Sequence, residues 1–227
     1  ECTENLFVSF NETLYFPSII LKPLTSIINK SLESGSFPQP WKTARVVPLY
    51  KNKGSRNEPS NYRPISCLAV LGKVLEACAK IQIVKHFESN NLFCPGQHGF
   101  RAKRSTTSAL ISMTSIWLDA IDKKRYAGVL SFDLSSAFDC IDCNILCSKL
   151  HLYGFDATSI NWVRSYLTNR SQFVQFESNT SSIETIVIGA PQGLVLSPIF
   201  FNMPSVTLYR CEIRHFSNLI CKYDWFW

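Results

Sequence analysis

The run AGVLSF, Ala127 to Phe132, ends on Asp133 and passes at once into a segment with helical signals. This junction constrains the fold more than any other stretch. A short apolar run closed by a charge reads as a buried strand, and a carboxylate where strand gives way to helix is held by backbone fixed on both sides. Three acids lie in FDLSSAFDCID, Phe132 to Asp142. Asp133 reads either as a ligand for a hard cation such as Mg2+, which takes oxygen donors, or as an ordinary strand end. Asp139 and Asp142 fall at the start of the next helix, where the helix dipole favours acids with no catalytic role.

The rest of the pattern is mixed. Leu24, Ile27, Ile28 and Leu32 predict an amphipathic helix that stops near Gly35. ARVVPLY predicts a strand, and KNKGSRNEPSNYRP, rich in Gly, Pro, Asn and charge, a loop. A long helix is expected from about Gly72 to Ser89, with Leu75, Cys78 and Val84 among its apolar residues. Ser105 and Thr106 can cap another, whose buried stripe is expected to be Leu110, Met113, Trp117, Ala120 and Ile121. AFDCIDCNILCSKLHLYG reads as one continuous helix with Phe138, Ile141, Ile145 and Leu152 near one face and Gly154 as the stop. INWVRSYL is a short helix, and SQFVQFE and SIETIVI alternate as strands around SNTS. Such an order predicts an α+β layer with helices against a largely antiparallel sheet, the helical first half and strand-rich second half facing one cleft.

With 227 residues, 46% of them hydrophobic, the chain can bury a full core. Its net charge of +6 is unevenly placed. Lys42, Arg45, Lys51, Lys53, Arg56 and Arg63 stand against the single acid Glu58 between Pro40 and Arg63, and Arg101, Lys103 and Arg104 form a second cluster. Basic patches suit a polyanion, because each neutralised phosphate releases counterions; a solvated surface gives the same pattern.

Nine cysteines at scattered spacings fit no disulfide framework. Without a signal-like start or an apolar run of the roughly 18 residues a membrane span needs, the expectation is a reduced intracellular protein, nuclear or cytoplasmic, with no membrane partner. Cys140, Cys143, Cys147 and His151 resemble zinc ligands in type, but strung along one helix they span roughly 16 Å at 1.5 Å per residue and cannot surround one ion.

GAPQGLVLSP, Gly189 to Pro198, sets Pro191 and Gln192 between two glycines, which let another chain or a ligand approach the backbone. A plain turn gives the same pattern.

Together, NYRPISCLAVLGKVLE, QHGFRAKRSTTSAL, VLSFDLSSAFDCID, LYGF, WVRSYLTNRSQFV and IGAPQGLVLSPIFFN resemble, in order and spacing, a reverse transcriptase of the non-LTR (LINE-type) retrotransposons, from about Phe37 to about Asn202. The resemblance implies an α+β right-hand polymerase. Residues 40–127 are then the fingers, 128–202 a partial palm, 1–39 a helical N-terminal extension and 203–227 a divergent tail, with no thumb in the chain. It implies RNA-directed DNA polymerase activity on an RNA template and DNA primer with deoxynucleoside triphosphates. Asp133 matches the palm aspartate that binds both catalytic Mg2+ ions, which clamp the attacking and leaving oxygens. Phe138 matches the aromatic gate that refuses a 2′-hydroxyl, and Gln192 the loop beside the incoming nucleotide. Arg63, Lys73 and Arg101 fall in segments that lie over the triphosphate. Arg104, Ser105 and Gly193 match positions near the nucleic acid.

The sequence departs from the pattern after Asn202. The family's Tyr-x-Asp-Asp hairpin, which completes the metal site, has no counterpart in MPSVTLYRCEIRHFSNLICKYDWFW. Leu194 and Ser197 stand where the family has a small residue and Gly. The chain as written is therefore expected not to polymerise; the alternative is a non-catalytic nucleic-acid-binding remnant of a decayed mobile element.

Overall fold

The computed structural model describes residues 18–129, 141–187, 189 and 193–203. Of the expected strand at 128–133, only Gly128 and Val129 are described, and they are exposed outside any strand; residues 130–133 with Asp133, and Phe138, Asp139, Cys140 and Gln192, lie outside this set.

A 16-residue helix, α1 (Ser18–Glu33), leads through a 3-10 turn at Gln39–Trp41 to β1 (Thr43–Tyr50). A loop carries the chain to β2 (Tyr62–Cys67) and then to the 20-residue α2 (Val70–Ser89). There follow α3 (Thr106–Asp122), α4 (Cys143–Leu152), α5 (Ala157–Leu167), β3 (Arg170–Phe176), β4 (Asn179–Thr180) and β5 (Glu184–Ile186). Residues 197–203 form a final helix, α6.

The strands run in the order β2-β1-β3-β4, with β5 also on β3. β1 pairs antiparallel with β2 (Val46 opposite Ser66), and β3 antiparallel with β4 and β5. The pairing of β1 with β3 is parallel, Thr43 opposite Ser171 to Val46 opposite Val174. A parallel pair needs a long crossover, and here α2 to α5 lie within it. The sheet is thus largely antiparallel, as expected. The expected contrast between a helical first half and a strand-rich second half is not what is seen: β1 and β2 come from the first half and share the sheet with β3 to β5.

One core joins the halves. Ala44 and Val46, on alternate positions of β1, are buried. Ala44 belongs to a cluster with Leu24 and Ile28 of α1, Leu75, Ala79 and Ile83 of α2, Trp162, Val163 and Tyr166 of α5, and Leu196, Ile199, Phe200 and Met203 at the C-terminal side. Phe37 meets Trp162 and Tyr166 edge-on at 5.7 and 5.1 Å, and those two rings stack 5.5 Å apart. The Trp162 indole donates to Ser31 Oγ at 3.1 Å, which satisfies its buried N–H. Leu194 and Ser197 are both buried, Leu194 within the core cluster, while the Ser197 hydroxyl has no hydrogen-bond partner among the described residues.

Two helix expectations need correction. The cysteine-bearing segment is not one continuous helix: at Asp142 the backbone is extended and α4 starts only at Cys143. The reason is local. Asp142 Oδ1 accepts from the N–H groups of Asn144 (2.7 Å) and Ile145 (3.0 Å), an N-cap that ends the helix on its N-terminal side. The buried face of α4 is Leu146, Cys147 and Leu150, while Ile145 and Leu152 are exposed. On α3, only Met113 of the expected stripe is buried, and Leu110 and Ile121 are exposed. The periodicity identified the helix but not how much of its apolar side is covered.

Candidate functional site

Two clusters hold the described residues singled out in the sequence. The first is built where β2 turns into α2. Arg63 lies on the edge strand β2 opposite Leu49, exposed, and Lys73 is exposed in the first turn of α2. The same junction takes up the segment after Gln192. Gly193 has φ +109°, and a Cβ there would stand 2.9 Å from the Ser66 carbonyl oxygen, so only glycine fits both the conformation and the contact. Two residues on, the Val195 N–H donates to Oε2 of Glu76 at 2.6 Å. Glu76 and Val195, 119 residues apart in the chain, thus meet through the side chain of one and the backbone of the other.

Glu76 was not among the residues singled out in the sequence. It is 1% exposed, in a helix whose buried residues include Gly72, Ala79 and Ile83. That helical register places Glu76 on the core face, which was the available signal. Burial pushes its carboxyl above the ordinary value, and the N–H groups of Val195 and Leu196, the Tyr166 hydroxyl and the Arg170 guanidinium draw it back. Arg170, also 1% exposed, donates through Nη1 to the Tyr166 carbonyl at 2.8 Å, and its guanidinium lies 5.0 Å from the Tyr166 ring centre. Burial lowers its pKa, and Tyr166 and Glu76 oppose that shift.

The β1–β2 loop, which enters β2 at the end opposite Ser66, is basic and braced from within. Lys51 Nζ donates to the Ser60 carbonyl at 2.7 Å, Asn61 Nδ2 to the Ser55 carbonyl at 2.7 Å, and Tyr62 Oη to the Arg56 carbonyl at 2.9 Å. Arg56 lies over the Tyr50 ring, 5.3 Å from its centre. Lys53, Arg56 and Arg63 remain exposed. Lys42 does not belong to this surface, contrary to the sequence reading. It is 4% exposed, and burial, with Arg170 adding to it, lowers its pKa.

The second cluster packs on the far end of α2. Arg101 Nη2 and Nε reach Glu88 at 2.8 and 3.2 Å, Nη1 donates to the Cys94 carbonyl at 3.1 Å, and the guanidinium lies 4.8 Å from the Phe93 ring centre. Its side chain is 12% exposed. This arginine is therefore committed to bracing its own loop. Arg104 Nη1 donates to the Pro95 carbonyl at 3.2 Å. Ser105 caps α3: its Oγ accepts from the Ser108 N–H at 3.2 Å and its N–H donates to Ser108 Oγ at 2.9 Å. His98 completes the turn with Nδ1 2.8 Å from Ser108 Oγ; burial, then Arg104 and Arg101, lower its pKa.

Among the described residues no group of three or more His, Cys, Asp or Glu side chains could hold a metal ion. Cys143 and Cys147 lie with their sulfurs 3.9 Å apart and, with Cys67, Cys78 and Cys94, are free thiols. No described helix is long and apolar enough to cross a membrane.

The mixed α+β architecture is compatible with what comparison to known proteins finds. Residues 50–221 match the family described as reverse transcriptase (RNA-dependent DNA polymerase), and the chain belongs to that family. The match runs past Asn202, where the quoted motifs end. Relatives include "Probable RNA-directed DNA polymerase from transposon X-element" of Drosophila melanogaster, 30% identical over 206 residues, which are 87% of this chain and 23% of that protein. The RNA-directed DNA polymerase from mobile element jockey of the same fly is 29% identical over 188 residues, 82% of this chain and 20% of the relative. The Pol polyprotein from type-1 retrotransposable element R2 of Popillia japonica is 27% identical over 179 residues, 78% and 24%. The chain spans roughly a fifth to a quarter of the length of these curated relatives. They support the non-LTR type read from the motifs.

Proposed function

We propose that this chain is the nucleotide- and template-binding part of an RNA-directed DNA polymerase, with residues 40–127 serving as fingers and 128–202 as palm. The observation that carries the reading is the clasp: Gly193 against Ser66 and Val195 on Glu76 bring the segment after Gln192 to the strand that bears Arg63 and the helix that bears Lys73. In this reading Arg63 and Lys73 lie over the triphosphate, where cations offset charge on the transferred phosphoryl group. Phe138 refuses a 2′-hydroxyl, and Gln192 and Gly193 flank the templating base. Arg101, engaged by Glu88, supports the loop that presents Arg104 and the capped start of α3 toward the nucleic-acid backbone.

Asp133 is the metal ligand proposed, and a carboxylate is the donor that hard divalent cations take. A bound divalent metal would supply charge stabilisation to the phosphoryl transfer. With no Tyr-x-Asp-Asp in its sequence, the chain by itself binds template, primer and nucleotide without extending the primer. That same feature favours the second reading, a nucleic-acid-binding remnant.

Anisotropy titration of a labelled RNA–DNA hybrid against salt tests the binding arm. Replacing Lys53 or Arg56 by Ala is expected to lower the slope of log affinity against log salt by roughly one each. A salt-independent affinity, or slopes unmoved by both changes, contradicts it. Primer extension with Mg2+ is expected to give no product, and template-dependent synthesis by this chain contradicts that expectation.

A further inference from the structure

We infer that Glu76 is a positioning residue for the segment 193–196, holding it in register through the Val195 amide; this deepens the nucleotide-site reading above and rests on it. The loop is fixed at two points. Gly193, in a left-handed conformation, lies so close to the Ser66 carbonyl that a Cβ would stand only 2.9 Å from that oxygen. Val195 donates its N–H to Glu76 at 2.6 Å. Between them Leu194 is 4% exposed, buried in the core. With one residue between the two points, the peptide planes of 193–195 have little freedom to turn.

A core position that only needed filling would take a leucine. A carboxylate buried to 1% exposure is costly unless polar partners compensate it. Here the hydrogen-bond partner is the Val195 amide at 2.6 Å, and the nearby Arg170 guanidinium favours the charged carboxylate, while Tyr166 Oη and Arg170 Nε and Nη2 are buried with no hydrogen-bond partner of their own among the described residues. Arg170 is tied to the Tyr166 carbonyl at 2.8 Å, so the cation that offsets Glu76 is itself fixed. The apolar surroundings supply burial, and the carboxylate supplies direction, because it accepts only from a peptide whose N–H points at it.

The test uses the full chain in three forms: native, Glu76→Gln, which keeps an acceptor oxygen, and Glu76→Leu, which keeps the volume and removes the acceptor. Hydrogen exchange and equilibrium binding of a fluorescent deoxynucleoside triphosphate are measured on each. In Glu76→Leu the amides of 193–196 are expected to exchange at least tenfold faster while β1 and β2 stay protected, and nucleotide affinity to fall at least tenfold. Glu76→Gln is expected to restore most of both. Unchanged exchange at 193–196 in Glu76→Leu overturns the inference. So does exchange that rises alike in every core element, which marks a general packing role, or a loosened loop that leaves affinity unaltered. If the native chain binds no nucleotide, the nucleotide reading falls, while the exchange comparison still decides whether Glu76 anchors the loop.

Discussion

Gly193 lies against Ser66 so closely that a Cβ at its position would stand 2.9 Å from the Ser66 carbonyl oxygen, and its φ of +109° is one that side chains rarely adopt. Gly193→Ala therefore meets a conformational penalty and a collision with backbone that cannot swing aside. A loss of about 1–2 kcal/mol is expected, read as a lower urea midpoint. Nucleotide binding is expected to weaken with it, since the loop must leave Ser66 to make room. Full stability and binding in the alanine variant would remove the close contact from the account.

Arg101 and Glu88 meet at 2.8 and 3.2 Å, with side chains 12% and 42% exposed. A two-point pair of this kind, half shielded from solvent, is worth about 1 kcal/mol. Arg101→Ala is expected to cost that much in urea unfolding and to make the 94–104 loop a site of rapid proteolysis. If Arg101 contacted the triphosphate instead, the main effect would be on nucleotide affinity with the loop still resistant.

Asp142 caps α4 by accepting from two backbone N–H groups. Asp142→Ala is expected to lose about 1 kcal/mol, and Asp142→Asn much less, because asparagine is an equally good cap. Circular dichroism during thermal unfolding separates the two. Equal losses would mean that charge and not capping is the main contribution.

Burial, and then the neighbouring Cys147, push the Cys143 thiol from 9.0 up to about 11. At pH 8 its thiolate fraction is then about a hundredfold below that of an ordinary cysteine. Alkylation of Cys143 by iodoacetamide should be slower by that order in the folded chain than in urea. The sign for stability follows. Between pH 9.0 and about 11 the unfolded thiol has lost its proton and the folded one keeps it, so stability falls as pH rises through that window. Cys143→Ser is expected to flatten this part of the profile.

Local signals were legible in the sequence where a residue's neighbours decide its state. Ser105 as a cap and the long helix α2 were read to within two residues, because capping and periodicity are local. The Asp142 cap was missed because the apolar spacing of AFDCIDCNIL outweighed a capping residue inside it. β2 was hidden in a stretch read as loop, since Pro64 argues against a strand. It is tolerated because β2 is an edge strand, where a missing N–H costs no ladder bond. Pro48 likewise lies past the end of the β1–β3 pairing at Val46. The burial of Lys42, Glu76 and Arg170, and the bond from Val195 to Glu76, depend on contacts across the fold that no local pattern encodes.

The account rests most directly on nucleotide selection beside the 193–195 loop. The deciding measurement is equilibrium binding of a fluorescent deoxynucleoside triphosphate to the native chain loaded with an RNA template and a DNA primer. The predicted result is that the nucleotide complementary to the template binds at least tenfold more tightly than a mismatched one, and that Arg63→Ala weakens the binding of both. Equal binding of matched and mismatched nucleotides, or affinities that Arg63→Ala leaves unchanged, would contradict it.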